Sequence, residues 1–316
     1  MIAKIQRKIL LIVMLFSIPF LAACQPTATP TPEQSTLVPV ANLTKDQILT
    51  IGIVSPDPAG TIAGFQPMMD YMAKQLSEQG IVKGNVVVTP DLDTMVQKLK
   101  SGDVDLFYES PYGALYVYEK AEAIPLLVGW RKGVGEYHAF VMVRKDSGIT
   151  SIQGLQGKLI AFADQGSTTG YFLPKAFMIT SGLRLSEISA NGTVAADEVG
   201  YMFAGSADNM ITAVLQGKVV GGAEESSVYD ALKQADKDQI VVVAQTKDVP
   251  RSLILASSTM SQALRDQIIS VLKAAGNTDA GKAVLKGAKS TAKFDDFPLG
   301  VDGTIKLLQD IFAPVK

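Results

Sequence analysis

The sequence predicts an α/β protein of two lobes with a cleft between them. Three observations lead there. Short β-rich runs alternate with stretches whose apolar residues recur at helical spacing, which argues for helices layered on mainly parallel sheets. Roughly 270 residues follow position 46, large for one core and comfortable for two. The order along the chain is one α/β block, a second α/β block and a helical return, which suits two lobes joined by a hinge.

The first block opens with a strand at 49–54 (LTIGIV), followed by Pro56, Pro58 and Gly60. A helix is expected over 65–76, ending near Gly80, then a strand at 85–89 (NVVVT). A helix over 92–99 stops at Ser101 and Gly102, before a strand at 104–108 (VDLFY). Residues 111–121 read as helix and 123–128 as strand. The second block starts with a longer strand at 136–144 (EYHAFVMVR), a turn at Ser147 and Gly148, and a short helix over 151–156. A strand at 158–163 leads into DQGSTTG, then a helix to about Thr180 that stops near Gly182. Strands follow at 199–203, 219–224 and 240–245, with helices over 208–215 and 227–234. The tail from Ser261 reads as mainly helical. No internal repeat is evident.

The N-terminus carries its own signal. Lys4, Arg7 and Lys8 precede an apolar run over 9–20 that is short for a permanent span, then Leu21-Ala22-Ala23-Cys24. Small residues before a cysteine look like a bacterial lipobox, so Cys24 is expected to be lipidated and to begin the mature chain. It is the only cysteine, which leaves it no disulfide partner. Residues 25–39 hold Pro26, Pro30, Pro32 and Pro39 among small polar residues and read as an extended tether.

Formal charge is −2, from 29 basic and 31 acidic residues. Without Lys4, Arg7 and Lys8, 26 basic residues face 31 acidic ones, so the mature chain sits at about −5. Binding nucleic acid by counterion release calls for a basic chain, and this one is acidic. One histidine and one cysteine leave little for a zinc site or a catalytic triad, and no cofactor motif is present.

The segment FADQGSTTGYFLP carries the most chemistry. A strand ends, the chain turns at Gly166, and a helix begins near Thr168 or Thr169. The first N–H groups of a helix have no internal partners and sit at its positive end. Ser167, Thr168 and Thr169 add three hydroxyls there, and Gly166 and Gly170 permit close approach. A tetrahedral oxyanion would find convergent donors without any cation. The same residues also suit plain helix capping. The G-x-x-x-x-G-K-[ST] phosphate loop is absent.

Three stretches, GDVDLFYESPYGAL, EYHAFVMVRKDSGITSIQGLQGKLIAFADQGSTTGYFLP and GSADNMITAVLQGK, resemble the periplasmic phosphonate, phosphite and phosphate-binding proteins of ABC transporters. The resemblance spans nearly the whole mature domain. It implies a two-lobed type II periplasmic-binding-protein fold with a central cleft and two hinge crossings. It also implies an extracytoplasmic, lipid-anchored protein, not an enzyme, that captures a small oxyanion and works with an ABC permease and ATPase. A ligand sensor for a membrane signalling protein is the alternative, and an enzyme on the same fold would need a poised nucleophile or base. The implied division is a signal peptide over 1–23, a tether over 24–46, one lobe from 47–136 plus 250–316, and a second lobe from 137–249.

By the resemblance, Ser167, Thr168 and Thr169 match the family's Ser-Thr-Ser anion turn and Tyr137 matches its crossover tyrosine. Ser206, within Gly205-Ser206-Ala207, and Ser252 join the candidate contacts. Ala207 stands where the family offers a histidine, Leu92 where some members have a tyrosine, and an acidic pair is missing near Ser227 and Ser252. Arg251, in VPRSL, is a candidate replacement cation or else a solvated arginine. Glu224 and Glu225 are expected to face water, with binding of a cationic ligand group as the alternative. Tyr108 and Tyr112 either line the cleft or pack. His138 and Trp130 are expected to be structural or peripheral.

Overall fold

Alternating apolar residues make the first strand two-faced, and both faces are covered. The structure, a computed structural model, describes residues 44–189 and 192–316. The signal segment, Cys24 and most of the tether lie outside the described residues. Residues 44–47 form a capped turn in which the Thr44 N–H donates to Gln47 Oε1 at 3.0 Å.

The chain runs β1 (Ile48–Val54), α1 (Pro58–Gln75), β2 (Lys83–Thr89), α2 (Leu92–Lys100), β3 (Leu106–Glu109), α3 (Pro111–Ala121) and β4 (Ile124–Arg131). It crosses at β5 (Glu136–Tyr137) and continues with β6 (Ala139–Arg144), β7 (Leu159–Phe162), α4 (Leu173–Thr180), β8 (Arg184–Glu187) and β9 (Glu198–Phe203). Then come α5 (Ala207–Leu215), β10 (Gly221–Glu225), α6 (Ser226–Asp230), α7 (Gln234–Lys237) and β11 (Ile240–Gln245). It crosses again at β12 (Val249–Pro250), followed by β13 (Leu253–Ala256), α8 (Gln262–Ala275), α9 (Asp279–Gly287), β14 (Thr291–Asp295) and α10 (Gly300–Phe312).

Among the described residues the strands form two six-stranded sheets, ordered β14-β4-β13-β3-β1-β2 and β11-β6-β10-β7-β9-β8, and a two-stranded one of β12 and β5. The α/β expectation holds, but the sheets are mixed rather than mainly parallel. β1 pairs parallel with β2 and β3, and β7 with β9 and β10. Each crossing then delivers a strand into the middle of the sheet it enters, antiparallel to its neighbours. β6 lies between β10 and β11, and β13 lies between β3 and β4. The return tail is not purely helical either, since β14 adds an edge to the first sheet.

Each sheet has a core on both faces. Leu49, Ile51 and Ile53 of β1 pack with Met68, Met69 and Met72 of α1 on one side of the first sheet. Phe107, Leu115 and Phe312 pack on the other. Met178 and Phe162 lie on one face of the second sheet, Met210 and Val214 on the other. Each such fully buried side chain contributes about 1.5–3 kcal/mol relative to exposure. Tyr108 follows Phe107 in β3 and so points the opposite way. It is fully buried, edge-on to Phe65 and Phe294, with its hydroxyl 3.0 Å from Thr291 Oγ1.

The crossings are tied to each other. Val249 pairs with Tyr137 and Pro250 with Glu136. Arg251 is 2% exposed, with its guanidinium 4.4 Å from the centre of the Tyr137 ring and Nη1 2.6 Å from Glu225 Oε1. It is therefore neither a solvated arginine nor a free cation in the cleft. Among the described residues its Nε lacks a hydrogen-bond partner, as does the buried Ser252 Oγ beside it.

Two stability measurements follow. Replacing Arg251 by Met strands the Glu225 carboxylate and lowers the unfolding free energy by about 3–5 kcal/mol in urea denaturation; adding Glu225→Gln recovers at least half, whereas strictly additive losses would exclude the pairing. Tyr108→Phe costs about 1 kcal/mol and leaves anion affinity unchanged; a large affinity loss by calorimetry would put Tyr108 back at the ligand.

Candidate ligand-binding site

In open α/β sheets the crevice beyond the carboxyl ends of the parallel strands is where ligands sit. Both sheets aim those ends at one cavity of about 490 Å³. Val54 ends β1 and Ser55 and Pro56 follow it, Pro90 and Leu92 follow β2, and Glu109 ends β3 with Ser110 after it. From the second sheet come Asp164, Gly166, Ser167, Thr168 and Thr169 after β7, with Glu224 and Glu225 at the end of β10. Tyr137 closes the wall at the first crossing, and Gly113 of α3, Arg131 and Lys289 complete the lining.

The Ser-Thr turn is built as the local sequence demands. Ser167 caps the helix that follows, its Oγ accepting from the Gly170 N–H at 2.9 Å. The helix opens as one π-turn over Thr168–Phe172 and continues as α4, with Pro174 in the first turn where its missing N–H is harmless. Among the described residues the N–H groups of Thr168 and Thr169 donate to no protein acceptor. That is the ordinary condition of a helix start, and here both residues line the cavity.

The hydroxyls divide. Thr168 Oγ1 donates to Ser110 Oγ at 3.0 Å and accepts from the Tyr112 N–H at 3.2 Å, so it links the two sheets' domains across the cleft. Tyr112 and Phe172 stack beside that link. Thr169 Oγ1 lies 3.5 Å from Glu224 Oε1. Ser110 is also the N-cap of α3, so a helix start from the first sheet faces the helix start from the second.

Charge in the cavity is mixed. Lys289 Nζ meets Glu109 Oε2 at 3.1 Å, and the Lys289 carbonyl accepts from Arg131 Nε at 3.1 Å. Lys289 and Ser290 both hold positive φ, of 53° and 55°. Non-glycine residues adopt that region at a cost of about 1–3 kcal/mol each, and here it carries Lys289 to the cavity. Glu224 is 6% exposed, and burial pushes its carboxyl up to about 7. Burial also acts on Glu225, but Arg251 and the Ser227 hydroxyl outweigh it and hold that carboxyl below its usual range. Burial raises the Tyr137 phenol well above its ordinary value.

Of the residues expected at the site, Ser167, Thr168, Thr169 and Tyr137 share the cavity. Arg251 and Ser252 lie behind its wall, buried. Tyr108 does not reach it, being enclosed in the core. Ser206 does not line it either and caps α5 by accepting from the Asn209 N–H at 3.2 Å. Glu224 and Glu225, expected to face water, form part of the wall instead. His138 pairs with Asp248 at 2.7 Å, and Trp130 carries Lys293 4.0 Å over its ring. Arg131, Lys289 and Glu109 were not anticipated. They come from separate segments with no local pattern, so only the fold brings them together. No His, Cys, Asp or Glu cluster suited to a metal occurs among the described residues.

Known proteins point the same way. The profile of the family described as ABC transporter, phosphonate, periplasmic substrate-binding protein matches residues 51–297. The Phosphate-import protein PhnD of Mycolicibacterium smegmatis is 27% identical over 229 residues, 71% of this chain and 70% of that protein. XAC2383 from Xanthomonas citri bound to chloride ion superposes with a TM-score of 0.80 at 28% identity, over 85% of this chain and 98% of that one. PhnD1 from Prochlorococcus marinus in complex with methylphosphonate shares the fold, with a TM-score of 0.61 at 17% identity over 85% and 98% of the two chains. The architecture is that of a type II periplasmic binding protein. By the match over most of its length, the chain belongs to the family of periplasmic substrate-binding proteins of phosphonate ABC transporters.

Proposed function

We propose that this protein is the extracytoplasmic, lipid-anchored receptor of an ABC importer and that it captures a small oxyanion of the phosphonate, phosphite or phosphate class. The observation that carries the reading is the pair of N–H groups at Thr168 and Thr169, which meet no acceptor among the described residues, beside a cavity that both sheets face. Arg131 and Lys289 supply positive charge from the opposite wall. The kinship with a phosphate-import protein supports the ligand class. Cys24 is the lipid attachment point in this reading, and an ABC permease and ATPase receive the ligand.

Capture proceeds by closure about the paired crossings β5 and β12. The anion docks first on the helix start after Gly166. The lobe carrying Ser110, Arg131 and Lys289 then swings over it and expels water. Thr168 serves closure as well as binding, because its hydroxyl already bridges to Ser110 and Tyr112. Each hydrogen bond to an ionised ligand is worth about 1.5–3 kcal/mol, which several contacts convert into useful affinity after ordering costs.

Calorimetry of the full chain with phosphate, phosphite and methylphosphonate tests this. At least one binds, and Thr168→Val weakens it by about tenfold or more. Unchanged affinity in that variant would remove the Ser-Thr turn from the site.

A further inference from the structure

The anion reading leaves one group unexplained. Glu224 puts a carboxylate beside the very donors assigned to a negative ligand. Its side chain is 6% exposed and lines the cavity. Oε1 is occupied, accepting from the Glu225 N–H at 2.8 Å with Thr169 Oγ1 at 3.5 Å. Oε2 accepts from no group among the described residues. A Cβ added to Gly170 would stand 2.7 Å from Glu224 Oε2, 2.9 Å from Ser167 Oγ and 2.9 Å from Ala163 Cβ, so only glycine lets the helix start pack this closely on Glu224.

Resting on the anion reading, we infer that Glu224 sets the class of oxyanion the cleft accepts: its Oε2 shares a proton with a ligand oxygen, so the site selects oxyanions that still carry an acidic proton. The reason is electrostatic. A carboxylate and a proton-free anion repel each other, and burial strengthens that repulsion. One proton between their oxygens turns the same contact into a short, strong hydrogen bond. Phosphate keeps a P–OH through neutral pH and meets the requirement with Glu224 ionised. Sulfate has no proton to offer and must borrow one from Glu224.

The surroundings make Glu224 suited to that exchange. Burial is the main influence on it, and Glu225 on the same strand adds like charge. The Glu225 N–H, the Thr169 hydroxyl from the helix start and Arg251 from the second crossing act in the opposite sense. Phe140, its cross-strand neighbour on β6, carries no charge. Asp164 and Tyr137 complete its side of the cavity, and Glu109, Arg131 and Lys289 face it from the other lobe. The outcome is a carboxyl pushed up to about 7, protonated in mild acid and ionised in mild base.

Competition calorimetry of the full chain with inorganic phosphate and sulfate, from about pH 5.5 to about pH 8.5, tests the inference. Sulfate is expected to lose at least about tenfold against phosphate as the pH rises, because the borrowed proton disappears. In Glu224→Gln the carboxamide N–H is present at every pH, so sulfate competes throughout and the ratio flattens. A wild-type sulfate affinity that is flat or absent across the range overturns the inference, as does an unaltered slope in the variant. Phosphate binding that survives either result leaves the anion reading intact. Failure of phosphate, phosphite, methylphosphonate and sulfate alike to bind the wild type overturns both. If the variant does not fold, the wild-type series decides alone.

Discussion

Arg251 rests on the Tyr137 ring and reaches Glu225, and in doing so joins both crossings to the end of a strand in the second sheet. A buried guanidinium with one carboxylate partner is rarely a net source of stability, because desolvating the two charges offsets most of their attraction. Its effect is positional. The pair fixes Tyr137 as a wall of the cavity and holds Glu225 ionised, which settles the charge next to Glu224. Among the described residues the buried Nε and Ser252 Oγ have no hydrogen-bond partners, an uncommon state for polar atoms so enclosed.

The cavity does not attract anions by bulk charge. Glu109, Asp164, Glu224 and Glu225 outnumber Arg131 and Lys289 along its walls. Two of the carboxylates are matched locally, Glu109 by Lys289 and Glu225 by Arg251. What remains positive is Arg131, which no carboxylate pairs with among the described residues, and the pair of opposed helix starts, Ser110 leading α3 and Ser167 leading the helix that becomes α4. Fixed N–H dipoles recognise the shape and proton count of an oxyanion, where a lysine would supply mainly a point charge. On the proposed reading, a site made this way selects among anions of similar charge.

Much of the fold was legible because strand and helix periods differ. The strand at 240–245 and the helix at 111–121 are read directly, and the Ser-Thr turn stands out as a helix start after a strand. Direction was not legible: β6 looks like any other apolar strand, β13 (LILA) was not read as a strand at all, and only the double crossing makes both antiparallel. β14 (TAKFD) hides in a helical tail because one phenylalanine is its sole large apolar residue. Burial at the site was hardest to foresee. Glu224 and Glu225 follow two glycines in a strand with little apolar content, and it takes a second lobe to cover them. Arg251 reads as a surface residue until Tyr137 is brought beneath it from more than a hundred residues away. Tyr108 and Ser206 misled in the opposite sense, since a polar group near a strand end or helix start is as readily a core hydroxyl or a cap.

A crystal of the full chain grown with arsenate would test the docking position most directly, since arsenic is located by its anomalous scattering. The expected peak lies between the lobes, with arsenate oxygens about 3 Å from the Thr168 and Thr169 nitrogens and one oxygen turned to Glu224. A peak confined to surface lysines, with the cavity between the sheets left empty, would contradict the assignment of that cavity to an oxyanion.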